Sequence, residues 1–112
     1  MESGRYVIEE MPDDPLDAAA LFYGNHLKLI EVGLSVLDIL TVQLPAVPKT
    51  HEQYLRAAMG ALARKVAPRR VNAISGNNDA TMERAAAWLA SAPGITGQYF
   101  AVDGAGPQAA LG

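Results

Sequence analysis

There is no cysteine in this chain, and that absence removes disulfides, thiolate nucleophiles and cysteine-held metals from consideration. Histidine is nearly as scarce. His26 and His51 stand apart from other ligand types, so no metal site is expected. Basic charge is also short: nine Lys and Arg against twelve Asp and Glu give a net charge of −3. That balance offers no electrostatic footprint for nucleic acid. No apolar run suits a membrane span, because the richest, Leu27 to Leu44, is broken by Lys28, Glu31, Gly33, Asp38 and Gln43. The N-terminus lacks the basic-then-apolar order of a secretory leader, and a cytoplasmic location is expected. Internal repeats and low-complexity segments are missing too.

What remains is a globular composition. Half of the 112 residues are apolar and 19% are charged, enough for one small domain with a thin margin of stability. Association with another subunit is a natural way to cover what so short a chain leaves open. The charge is unevenly spread. Positions 1–45 carry eight acids and two bases, whereas positions 46–112 carry four acids and seven bases. The two halves can attract each other within the domain or between subunits.

The chain divides into an acidic lead-in over 1–15, a folded region over 16–104, and a Gly/Ala tail over 105–112. A short strand at Tyr6–Ile8 precedes the Pro12–Pro15 break, and Asp14 with Pro15 reads as a helix start. Leu16 to about Glu31 has helical spacing through Leu16, Ala19, Ala20, Phe22, Tyr23, Leu27 and Ile30. Gly24-Asn25 weakens its middle, and Gly33 is placed as its terminator. The run Leu34–Leu44 fits either a buried strand or more helix; its β-branched residues and the bounding Gly33 and Pro45 favour a strand. Thr50 and Gln53 form a capping-box pattern for a helix with Leu55, Met59, Leu62 and Val66 on one face, ended by Pro68. Val71–Ile74 is a strand. Asn77, Asn78 or Asp79 caps a helix striped by Met82, Ala85, Ala86 and Leu89, which stops at Pro93-Gly94. Gln98–Val102 is the last strand. Strands alternating with helices predict an α/β fold with an open, mostly parallel sheet.

Two segments carry a resemblance. Arg70-Val71-Asn72-Ala73-Ile74, then Trp88-Leu89-Ala90-Ser91, then Ile95-Thr96-Gly97-Gln98 with Val102-Asp103-Gly104, occur in the order and spacing found near the end of short-chain dehydrogenases/reductases. The resemblance covers about 45–104, with a fainter extension back to Leu16. It implies a truncated Rossmann-like sheet of about three strands. It also implies NAD(P) as cofactor in a complete family member.

The family's chemistry maps poorly onto these residues. Its catalytic helix opens Y-x-x-x-K-A-A, where the tyrosine transfers the proton and the lysine one turn on lowers its pKa. Here Arg56 takes the lysine slot and Glu52 the tyrosine slot. A carboxylate with a reference pKa of about 4 is ionised at neutral pH and donates no proton. Tyr54 lies two residues on, nearly on the opposite side of the helix. At the end of the preceding strand only Thr41 offers a hydroxyl where the family has its serine. The glycine-rich phosphate turn and the N-N-A-G segment are absent.

The catalytic candidates are therefore Thr41, Tyr54 and Arg56. Gly76 and Thr81 are the candidates for touching a cofactor. Each has an ordinary reading: Arg56 as an exposed partner of Glu52 at i, i+4, Thr81 as a first-turn residue, and Gly76 to Asp79 as a helix cap. A crevice near Gly76 and Thr41 at the strand carboxyl ends is a further place for a small molecule. In the family the last helix and strand lie at a subunit contact, so the resemblance places Trp88, Ile95, Tyr99 and Phe100 at an interface; a core role is the alternative. The expected function is that of a non-catalytic subunit that forms homo-oligomers or docks on a full-length short-chain dehydrogenase, without cofactor when alone. The alternative is an NAD(P)-dependent oxidoreductase whose site is rearranged or completed by a partner subunit.

Overall fold

Alternation along the strands sets up the whole architecture of this protein, for which a computed structural model describes residues 2–102. Strand β2 (Ile39–Leu44) turns Leu40, Val42 and Leu44 to one face, and β3 (Arg70–Ser75) turns Val71 and Ala73 the same way. These join Tyr6 from β1 (Ser3–Val7), Ile8 just after it, and Tyr99 from β4 (Tyr99–Ala101). The four strands are all parallel, in the order β1-β2-β3-β4.

That face is roofed by two helical connections. The first runs from α1 (Pro15–Leu21) through a wide turn at Phe22–His26 into α2 (Leu27–Leu34). The second is α3 (Glu52–Val66), which ends before a cis Ala67–Pro68 bond. Phe22, Ile30, Leu34, Leu55, Met59 and Leu62 are buried between helices and sheet. Each such side chain contributes about 1.5–3 kcal/mol on burial. Among the described residues the opposite face receives α4 (Asp79–Ala90), whose Met82, Ala85, Ala86 and Leu89 pack on Ile74 and Val102. The strand order advances in one direction while the third connection changes face. That connection therefore has the opposite hand to the first two, and the chain cannot obey the right-handed crossover rule throughout.

Asn72 holds this third connection in place. Its Nδ2 donates to the Ile95 carbonyl at 3.1 Å, and its Oδ1 accepts from the Gln98 amide at 3.0 Å. Thr96 Oγ1 accepts from the Val71 amide at 3.1 Å, and the Gly97 amide donates to the Val71 carbonyl at 2.8 Å. The RVNAI and ITGQ segments are thus two halves of one clasp between β3 and the loop into β4. Gly97 sits at φ +75°, and a Cβ there would meet Ala63 Cβ at 3.1 Å. Only glycine takes both the left-handed turn and the close approach to α3 without strain.

Several expectations are corrected. The sheet has four strands against an expected count of about three, and β1 at Ser3–Val7 lies three positions earlier than the short strand expected at Tyr6–Ile8. The first helix does not stop at Gly33. It runs to Leu34, and Gly33 lets α2 approach β2, since a Cβ would stand 2.8 Å from Leu40 Cδ1. Only Ile39–Leu44 of the 34–44 run is strand, Leu34 being helix. Leu16 and Tyr23 are 80% and 45% exposed, not core. The Leu27 amide reaches back five residues to the Phe22 carbonyl, and that wide turn at Gly24-Asn25 shifts the helical phase.

The Thr50–Gln53 capping box is not made. A 3₁₀ turn at Lys49–His51 already encloses Thr50, and α3 begins without a side-chain cap. By contrast Asp14 Oδ2 caps α1 through the Asp17 amide, and Asn78 Oδ1 caps α4 through the Thr81 amide. Asp103, Gly104 and the 105–112 tail lie outside the described residues. Among the described residues no helix is long and apolar enough to cross a membrane.

Candidate functional site at the strand carboxyl ends

Parallel strands end together, and here Leu44, Ser75 and Ala101 bring three loops to one rim. Ala46, Val47, Gly76, Asn77, Asn78 and Val102 enclose a cavity of about 300 Å³ there. Its floor is tight. A Cβ on Gly76 would stand 2.6 Å from the Val102 carbonyl oxygen and 2.5 Å from Met82 Cε. The Gly76 amide donates to the Leu44 carbonyl at 3.2 Å, and Asn77 Oδ1 accepts from the Ala46 amide at 3.4 Å.

These residues do not fit the diphosphate of a dinucleotide. The glycine serves packing within the chain, its amide is engaged, and Asp79 places an acid in the first turn of α4. Thr81 is 1% exposed, and its Oγ1 accepts from Arg84 Nη2 at 3.2 Å. It is a satisfied first-turn residue of α4.

The catalytic candidates do not meet. Thr41 alternates away from Leu40 and Val42 and therefore faces α4. There, 2% exposed, it borders a cavity of about 260 Å³ with Ser3, Arg5, Glu83 and Ala87. Tyr54 and Arg56 belong to α3, on the other side of the sheet. The sheet thus stands between Thr41 and the two residues of α3.

Tyr54 is held in a network of its own. The Asp13 carbonyl, which can only accept, takes a hydrogen bond from His51 Nε2 at 2.8 Å. In that tautomer Nδ1 accepts from the Tyr54 hydroxyl at 3.0 Å. Burial first, and the nearby Tyr99 second, push the Tyr54 phenol up to about 12. This is the reverse of what a proton-transferring tyrosine needs. His51 is itself fully buried, tying the N-terminal loop to the start of α3. In the sequence His51 is marked for this role by nothing but its i, i+3 spacing to Tyr54.

Arg56 Nε donates to Glu52 Oε1 at 2.8 Å, with the two side chains 52% and 35% exposed. The pairing expected at i, i+4 is present and is worth tenths of a kcal/mol. The Arg56 guanidinium also lies 5.9 Å over the Tyr99 ring. Tyr99 is 3% exposed and its hydroxyl shares a 2.6 Å hydrogen bond with Ser75 Oγ. Its phenol is raised by burial, while the Ser75 hydrogen bond pulls the other way.

The four interface candidates separate. Trp88, Ile95 and Phe100 pack half-buried against the α4 cluster, whereas Tyr99 is core on the α3 face. Among the described residues no group of three or more His, Asp or Glu could hold a metal ion.

Four parallel strands, helical crossovers on both faces and loops gathered at the strand carboxyl ends define a small open sheet of the Rossmann type. The family model of short chain dehydrogenase-like proteins matches residues 6–102, and the chain belongs to that family. No curated protein and no solved structure matches it.

Proposed function

We propose that this chain is a non-catalytic short-chain-dehydrogenase-like subunit that works by assembling with another protein, either a second copy or a full-length short-chain dehydrogenase. The observation that carries the reading is the separation of the candidate catalytic groups. Thr41 faces α4, Tyr54 sits across the sheet with its phenol raised to about 12, and the tyrosine slot holds Glu52 paired to Arg56. The retained helix and strand at the end of the fold keep Trp88, Ile95 and Phe100 half-exposed around one cluster, a suitable anchor for a partner.

Two measurements test the reading. Sedimentation of the pure protein, alone and mixed with a full-length short-chain dehydrogenase, is expected to show a species heavier than the monomer. NADH and NADPH titrated to millimolar concentration are expected to leave Trp88 fluorescence without a saturable change. Saturable quenching overturns the reading in favour of an NAD(P)-dependent oxidoreductase. A strict monomer that captures no reductase overturns it outright.

A further inference from the structure

Strand β1 is one of the two edges of the sheet, β4 being the other, and its pattern is self-complementary. The Glu2 carbonyl accepts from the Ile39 amide at 3.1 Å, and the Ile8 amide donates to the Gln43 carbonyl at 2.8 Å. Even-numbered residues of β1 therefore turn their backbone groups to β2. By the alternation of a parallel ladder, Ser3, Arg5 and Val7 turn theirs to the open edge. The same odd residues send their side chains to the thinly covered face, because Tyr6 and Ile8 point into the α3-side core. Arg5, whose Nη1 donates to Gln43 Oε1 at 3.0 Å, and Glu9, two positions past the end of β1, are both exposed, and Val7 between them is 47% exposed.

An unpaired edge of this kind is a template for another strand. Two copies of β1 meeting across a two-fold axis run antiparallel, and odd residues must face odd residues for the hydrogen bonds to form. Three central registers meet that condition. Centring on Arg5 sets Arg5 against Arg5, a like-charge contact. Centring on Tyr6 sets Arg5 against Val7 and Ser3 against Glu9. Centring on Val7 sets Val7 against Val7 and Arg5 against Glu9, twice, by symmetry. Opposite charges directly across an antiparallel pair stabilise it and like charges oppose it.

We infer that β1 pairs with β1 of a second copy, centred on Val7, to make a continuous eight-stranded sheet from two four-stranded ones. This rests on the reading of the chain as an assembling subunit, and it names the partner and the surface. The two-fold closes both open β1 edges at once, so the product is a dimer and not a fibre.

The test is a charge swap read by sedimentation equilibrium, with circular dichroism confirming that each variant folds. Arg5→Glu and Glu9→Arg each turn both cross-strand pairs repulsive, and each is expected to weaken the dimer about ten-fold or more. The double variant restores the attraction with its signs exchanged and is expected to dimerise like the parent. Mixing the two single variants is expected to give a heterodimer that neither forms alone. A parent dimer that ignores both single reversals but dissociates on Trp88→Ala overturns this inference and leaves the assembly reading standing. So does a monomeric parent that still captures a full-length reductase. A monomer with no partner overturns both.

Discussion

The two faces of the sheet are built to different standards. Among the described residues one is covered by α1, α2 and α3 over fifteen buried core residues, and the other by α4 over six. On the second face β1 presents Ser3, Arg5 and Val7 to solvent. The contrast shows a fold whose larger core lies on one side of its sheet, with a smaller cluster on the other, among the described residues. A chain of this size has about 5–15 kcal/mol of total stability at best, and most of it must come from the covered side.

The sharpest way to break the comparison is to truncate equivalent leucines. Leu55→Ala on the α3 side is expected to lower stability by about 4 kcal/mol, and Leu89→Ala on the α4 side by about 3 kcal/mol. Both are fully buried, but Leu89 belongs to the smaller cluster, whose rim of half-buried Trp88, Ile95 and Phe100 can shift to fill the space. Urea denaturation reads both values, and the reverse order would undo the ranking of the faces.

Gly76→Ala and Gly97→Ala come next, at about 1–3 kcal/mol each. The first forces a Cβ against the Val102 carbonyl, and the second combines φ +75° with the approach to Ala63. A melting temperature unchanged in either variant contradicts the packing described.

Asn72→Ala removes the side-chain part of the clasp that ties the α4 crossover to β3 and leaves the Val71 hydrogen bonds to Thr96 and Gly97 in place. It leaves the Gln98 amide and the Ile95 carbonyl without a partner and is expected to cost about 1–3 kcal/mol. An effect within a few tenths, seen by thermal unfolding, would mean that water replaces the side chain.

The smallest effect concerns Tyr54 and pH. Its folded pKa is raised, so the protonated phenol favours the folded state. That contribution is complete below the unfolded value near 10 and is lost as pH rises through about 12. Stability is therefore expected to fall above about pH 10. Tyr54→Phe, which also loses the His51 hydrogen bond, is expected to flatten this fall in urea titrations at stepped pH. A parallel decline in both proteins would assign it to other groups.

Much of the α4 half was legible in the sequence. Met82, Ala85, Ala86 and Leu89 keep an undisturbed helical period, and Asn78 supplies the cap that its residue type implies. The first connection was less legible, because the wide turn at Phe22–His26 breaks the period that places Leu16 and Tyr23 in the core. β1 gave little signal, since an edge strand buries only Tyr6 and Ile8 and exposes the rest. At the site, the Glu52–Arg56 pair could be read from its i, i+4 spacing. The opposition of Thr41 and Tyr54 could not, because it depends on which way β2 is rotated beneath α3. Nor could the part played by Asn72, whose partners are 23 and 26 positions away.

That asparagine gives the Gln98 amide proton a particular meaning. It is sheltered by a side chain on the neighbouring strand and not by a ladder of its own. Its exchange with deuterium therefore times the release of the last strand from the sheet, a clock for that one event which runs without unfolding the α3 side.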